Sequence, residues 1–210
     1  MAAKSETKVT PVTRRTRIRR ALLNGVATTL SQVAAPPMLA ALMMFLAAGA
    51  SGEPYAWQFA AAYVGLGLAL PLAYLVFLVR RGLVSDLDVQ KRHQRWRPLL
   101  AALFGMVGAV ALFAVSGAPP IMLALAGGLL VYMAVAFTIT LGWKISMHSA
   151  GMAALAMFSV RTYGDPALPL ILAIPLMAWA RVHLRRHTVA QTIAGAALGS
   201  TVIWLALTAM

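Results

Sequence analysis

The stretch PIMLALAGGLLVYMAVAFTITLG (Pro120–Gly142) runs for 23 residues without a charge. As a helix rising about 1.5 Å per residue it matches the ~30 Å hydrocarbon core of a bilayer. Working outward, comparable apolar runs lie at roughly 24–50, 57–79, 99–117, 147–163, 166–181 and 188–209. Turn-prone breaks separate several of them: Gly52-Glu53-Pro54, Gly117-Ala118-Pro119-Pro120 and Gly164-Asp165-Pro166. The whole chain of 210 residues is 61% hydrophobic and 11% charged, with mean hydropathy +0.80. A water-soluble domain of this size could not cover so much apolar surface, so lipid is its solvent. The expected fold is therefore all-α: a polytopic integral membrane helical bundle of about six to seven transmembrane helices. Residues 23–210 form its single domain, and Pro36-Pro37 should kink the first span. Gly195 and Gly199 place small residues one turn apart on the last span, a helix-packing face.

Residues 1–22 read as a basic, disordered tail near anionic headgroups, with seven cations among the first twenty residues and one acid, Glu6. The apolar run that follows is too long for a signal peptide and shows no clear cleavage site. Seven spans put this tail and the 80–98, 143–147 and 181–187 loops on one side, with seventeen of the eighteen Lys and Arg residues; only Arg161 falls opposite. The positive-inside rule makes that side cytoplasmic, in an inner membrane of the bacterial kind. The net charge of +13 is spread among loops between spans, which argues against nucleic acid as a partner. With no cysteine, thiolate chemistry and disulfides are excluded.

Three polar islands interrupt the apolar sequence: KRHQRWRP (Lys91–Pro98), KISMH (Lys144–His148) and ARVHLRRHTVAQ (Ala180–Gln191). Together they hold all four histidines. Cations and imidazoles beside a bilayer are costly to desolvate and mark function. Arg and Lys bind a phosphate dianion, and imidazole can move protons or attack phosphorus. His187 and Gln191, four residues apart, share a helical face and can hydrogen-bond. Ser146 would open the fifth span, where helix N-termini favour anions. His93 and His183 read as interfacial bystanders, and Arg80, Arg81, Arg185 and Arg186 as snorkelling anchors.

At these residues the chain resembles the type 2 phosphatidic acid phosphatase superfamily, which includes vanadium haloperoxidases. That family's pattern is Lys-x6-Arg-Pro, then Pro-Ser-Gly-His, then Ser-Arg-x5-His-x3-Asp. Here Arg97-Pro98 ends the first motif, with Lys91 one residue nearer than the pattern asks. The second reads Ile145-Ser146-Met147-His148, and the third Ala180-Arg181, five residues, His187, three residues, Gln191. The resemblance covers about residues 80–200. It implies that His187 is the nucleophile, forming a phosphohistidine, and that His148 protonates the leaving oxygen. Lys91, Arg97, Ser146 and Arg181 would hold the phosphoryl oxygens, with a lipid phosphate or prenyl (di)phosphate as substrate and no cofactor.

The departures define alternatives. Gln191 stands where the family has Asp, so it can accept the imidazole N–H without stabilising an imidazolium. Met147 replaces Gly and Ala180 replaces Ser. Asp86 and Asp88, beside the first island, suggest salt bridging or a Mg²⁺ site for a diphosphate. With a metal, the same scaffold could ionise a prenyl diphosphate, as a terpene cyclase, lyase or prenyl transferase does. A non-catalytic lipid-phosphate binder or transporter is the third expectation.

Overall fold

A computed structural model describes residues 14–87, 89 and 91–210. The described residues are helical with no strand, and the expected bundle is what they form. Helix α1 (Arg14–Val33) is followed by α2 (Pro36–Ser51), at a bend of 49°. Pro36 and Pro37 occupy the first positions of α2, where a missing N–H is harmless, so the break falls before them. The next span is α3 (Ala56–Tyr63), a π turn (Val64–Ala69) and α4 (Leu70–Arg80). Then follow α5 (Trp96–Val115), α6 (Pro120–Gly142) and α7 (Met147–Tyr163). A 3₁₀ segment (Asp165–Leu172) leads into α8 (Ala173–His183), and α9 (Val189–Thr208) ends the bundle. Five stretches are long and apolar enough to cross a membrane, with the bent α1–α2 pair as a sixth.

Two details depart from expectation. Helix α1 starts at Arg14, so residues 14–22 are helical and not a disordered tail; residues 1–13 lie outside the described residues. The expected first span also divides. Helix α1 packs against α8, with Asn24 Oδ1 2.9 Å from His183 Nε2, and only the bent α1–α2 pair taken together is long and apolar enough to cross. At the far end of α2, Tyr163 donates its hydroxyl to the Leu46 carbonyl at 2.7 Å.

The surface is inverted relative to a soluble protein. Phe104, Val115, Leu172 and Ile193 are 69, 82, 73 and 63% exposed, as lipid-facing side chains must be. At the centre, α7 buries Ala150, Gly151, Ala153, Ala154, Ala156, Phe158 and Ser159. Small side chains let neighbouring backbones approach where hydrophobicity supplies no drive between helices. Gly195 abuts the Ser146 carbonyl and Gly199 the Ala150 carbonyl, so α7 and α9 run parallel in close contact. A Cβ at 199 would overlap that carbonyl. Gly199→Ala is expected to lower stability by about 1–3 kcal/mol. Gly108→Ala, which meets nothing within 4 Å, should stay within about 0.5 kcal/mol. Thermal unfolding in detergent compares the two.

The π turn has two causes, one local and one from a neighbouring helix. The Leu70 N–H bonds the Gly65 carbonyl five residues back, and Pro71 brings no N–H to continue the ladder. The Leu66 carbonyl lies against Gly105 of α5, the residue type that leaves room for it. The bulge thereby widens the span just where a cavity begins.

Candidate active site

The three polar islands meet at one end of the bundle, around a cavity of about 720 Å³. Its mouth is lined by Asp86, Arg95, His148, Arg181, Arg186 and His187. Below them the walls are apolar: Leu68, Pro71, Leu72 and Leu75 from the bulged span, Pro98, Leu99, Ala102 and Met106 from α5, and Leu129 and Met133 from α6. Each set repeats at helical spacing, so three helices present one stripe apiece to a shaft. A cationic mouth over an apolar shaft suits an amphiphile with an anionic head.

His187 sits in the turn between α8 and α9 and is 8% exposed. A Schellman-type cap builds that turn: Arg186 N–H donates to the Arg181 carbonyl at 3.0 Å, and Arg185 N–H to Val182 at 2.9 Å. Arg185 takes the left-handed position with φ 54°, where glycine is usual. Thr188 then caps α9 in a reciprocal box with Gln191. The Thr188 N–H, which can only donate, reaches Gln191 Oε1 at 3.1 Å. That contact fixes the amide orientation, so the same oxygen accepts from His187 Nδ1 at 3.2 Å. His187 is thereby held as the tautomer protonated on Nδ1, and Nε2 keeps its lone pair. Burial, and then Lys144, Arg181 and Arg95, lower its pKa to about 3, partly offset by the Gln191 bond. His187 is therefore neutral across physiological pH. Gln191 is explained as the capping residue that also orients the imidazole.

His148 occupies the first turn of α7, 9% exposed, and its ring N–H donates to the Ser31 carbonyl of α1. Arg181, 4% exposed on the last turn of α8, and Arg95 act electrostatically on both imidazoles. The α7 and α9 N-termini are tied together by Ser146 N–H donating to the Gln191 carbonyl at 3.2 Å. The two candidate histidines are thus fixed by one backbone clamp.

Several expected ligands move. Arg97 is exposed, its guanidinium over the Trp96 ring at 5.1 Å, and does not line the cavity. Arg95 does, and its Nε donates to the Val89 carbonyl at 2.8 Å. The reason is helical phase: 95, 98, 99, 102 and 106 share a stripe, whereas 97 is about 200° from 95. Lys91 is exposed and also outside the lining. Ser146 is fully buried, its hydroxyl accepting from Ser149 N–H at 3.3 Å and sharing a 3.0 Å bond with Ser149 Oγ. It caps α7 and does not line the cavity. Arg186, expected as an anchor, lines it, and its carbonyl accepts from Lys144 Nζ at 2.7 Å. Asp86 lines the mouth; Oδ2 accepts from Ser85 Oγ at 2.8 Å. Oδ1 meets no donor among the described residues, and Asp88 lies outside them. His183, stacked on Trp179 at 5.2 Å and bonded to Asn24, joins α8 to α1.

Sequence reasoning missed Arg95, Arg186 and Lys144 as site cations, and Ser31 and Tyr63 as lining residues. Compared with protein-family models, curated proteins and solved structures, the chain matches none.

Proposed function

We propose that this protein is a membrane-embedded lipid-phosphate phosphatase that works through a phosphohistidine on His187. One observation carries the reading: a buried, neutral imidazole, its Nδ1 proton held by Gln191, stands in a mouth lined by Arg95, Arg181 and Arg186 above an apolar shaft. The guanidinium groups grip the phosphoryl oxygens. Nε2 of His187 attacks phosphorus, and the bond from phosphorus to the leaving oxygen breaks. His148, whose imidazolium form the bound phosphate dianion favours, gives that oxygen a proton from the ring nitrogen not bonded to Ser31. In the second half a water attacks the phosphohistidine, returns a proton to His148 and frees phosphate. The substrate is a lipid or prenyl (di)phosphate whose chain fills the shaft. The excess of Lys and Arg at this face supports a site open to the cytoplasm.

A second reading has its own support. Asp86 Oδ1, without a donor among the described residues, stands at the mouth where a Mg²⁺ ion bridging to a diphosphate would bind. The site would then ionise a prenyl diphosphate and release pyrophosphate. Incubation with farnesyl diphosphate and phosphatidate, with and without EDTA, separates the readings by product. Prenyl alcohol or monophosphate formed with EDTA present supports the phosphatase. Pyrophosphate with a hydrocarbon, lost in EDTA, supports ionisation, and binding without turnover supports a carrier.

A further inference from the structure

The floor of the shaft holds a polar group that an apolar chain leaves unused. Tyr63, the last residue of α3, is 0% exposed, lines the cavity and has a hydroxyl with no hydrogen-bond partner among the described residues. Its ring is packed, lying 6.3 Å from Phe113 at a tilt of 56°. Gly67 and Met106 close the floor beside it: a Cβ at 67 would sit 3.5 Å from the Tyr63 ring and 3.6 Å from Met106. Met106, beside that floor, lies far from Arg95 at the mouth. Arg95 and Met106 are eleven residues apart on one stripe of α5, roughly 16 Å along the axis. Tyr132 also lines the cavity, but its hydroxyl meets the Met147 carbonyl and sulfur at 3.5 and 3.4 Å, and Ser31, whose Oγ has no partner among the described residues either, belongs to α1.

A buried hydroxyl without an acceptor costs stability, and lipid surroundings cannot supply water to relieve it. A ligand that reaches the floor can. We propose that the shaft floor is a second recognition site, where the Tyr63 hydroxyl donates to an acceptor on the far part of the ligand's chain. The acceptor is an alkene π face or an oxygen. The favoured ligand is then an unsaturated or oxygen-tipped lipid phosphate, and a saturated acyl chain is disfavoured because it leaves the hydroxyl unmet. This rests on the lipid-phosphate reading of the mouth and adds specificity about 16 Å away from it.

The test uses binding, so it does not depend on turnover. Three phosphonates of equal length, with a farnesyl chain, its fully saturated counterpart and a saturated chain ending in a hydroxyl, are titrated into the purified protein and into Tyr63→Phe. The wild type should bind the farnesyl or the hydroxyl-ended ligand roughly fivefold more tightly than the saturated one, and which of the two gains identifies the acceptor. Tyr63→Phe should lose that preference while binding the saturated chain at least as well. Without ligand, Tyr63→Phe should unfold at a higher temperature, because it removes an unmet buried hydroxyl. Equal wild-type affinities for all three, or a preference that survives in Tyr63→Phe, or a less stable variant, would overturn the proposal and leave the phosphatase reading standing. Failure of every phosphonate to bind would overturn both.

Discussion

Replacing His187 by alanine is expected to lower phosphate release by roughly 10³-fold or more, with the fold intact. The side chain contributes one hydrogen bond to Gln191, which keeps its partner in the Thr188 N–H, so α9 stays capped. The loss therefore lies in chemistry and not in assembly, and unchanged thermal unfolding beside lost turnover shows it. The pH dependence follows from the environment. Burial, and then Lys144, Arg181 and Arg95, hold the folded pKa at about 3, against about 6.5 for an unfolded histidine. Below pH 6.5 the unfolded chain binds the proton that the folded site refuses. The contribution of His187 to stability is thus complete above pH 6.5 and lost as pH falls from there toward 3. In kcat/KM, His187 should give no inflection between pH 5 and 8. Gln191→Glu, which preserves the capping box and puts a carboxylate on Nδ1, should raise the His187 pKa toward that window.

The arginine pair gives the second large effect. Arg95→Gln should reduce kcat/KM by roughly 10²-fold, the consequence of removing a buried charge-assisted grip on phosphate. Arg97→Gln should stay within about twofold, because its guanidinium rests on Trp96 outside the cavity. Arg95→Lys should recover little, since an ammonium cannot reproduce the planar fork that also meets the Val89 carbonyl. Steady-state kinetics on the three variants, with unfolding temperatures as the control, decide it. A larger loss at position 97 than at 95 would return the site to the motif assignment.

The pair also shows how much was legible in sequence. Spans were legible because an uncharged run of Pro120–Gly142 leaves the chain little choice in lipid. The proline break before α2 and the Gly195/Gly199 contact were legible because each is set by a local steric property. His187 and Gln191 were legible as a pair from their spacing of four, although the contact is made across the capping box at the start of α9 and not along one helix. Arg95 was not, because choosing between two arginines needs the phase of α5, and that phase follows from which side of it meets the bulged span. Lys144 reaches a carbonyl 42 positions away, and Ser31 reaches His148 from a helix expected to be tail and span. The π turn depends on Gly105 of another helix. These closures over long sequence separations are tertiary choices that no local pattern records.

The most direct measurement is a single-turnover acid-labile labelling experiment. Protein mixed with a prenyl diphosphate ³²P-labelled at its terminal phosphorus is quenched in base, where phosphohistidine survives, and the labelled residue is located by peptide mapping. Label on His187, absent from His187→Ala and retained in His148→Ala with slowed release, is the result expected of the phosphohistidine mechanism. Turnover with no label on any histidine, or pyrophosphate as the first product, would contradict it.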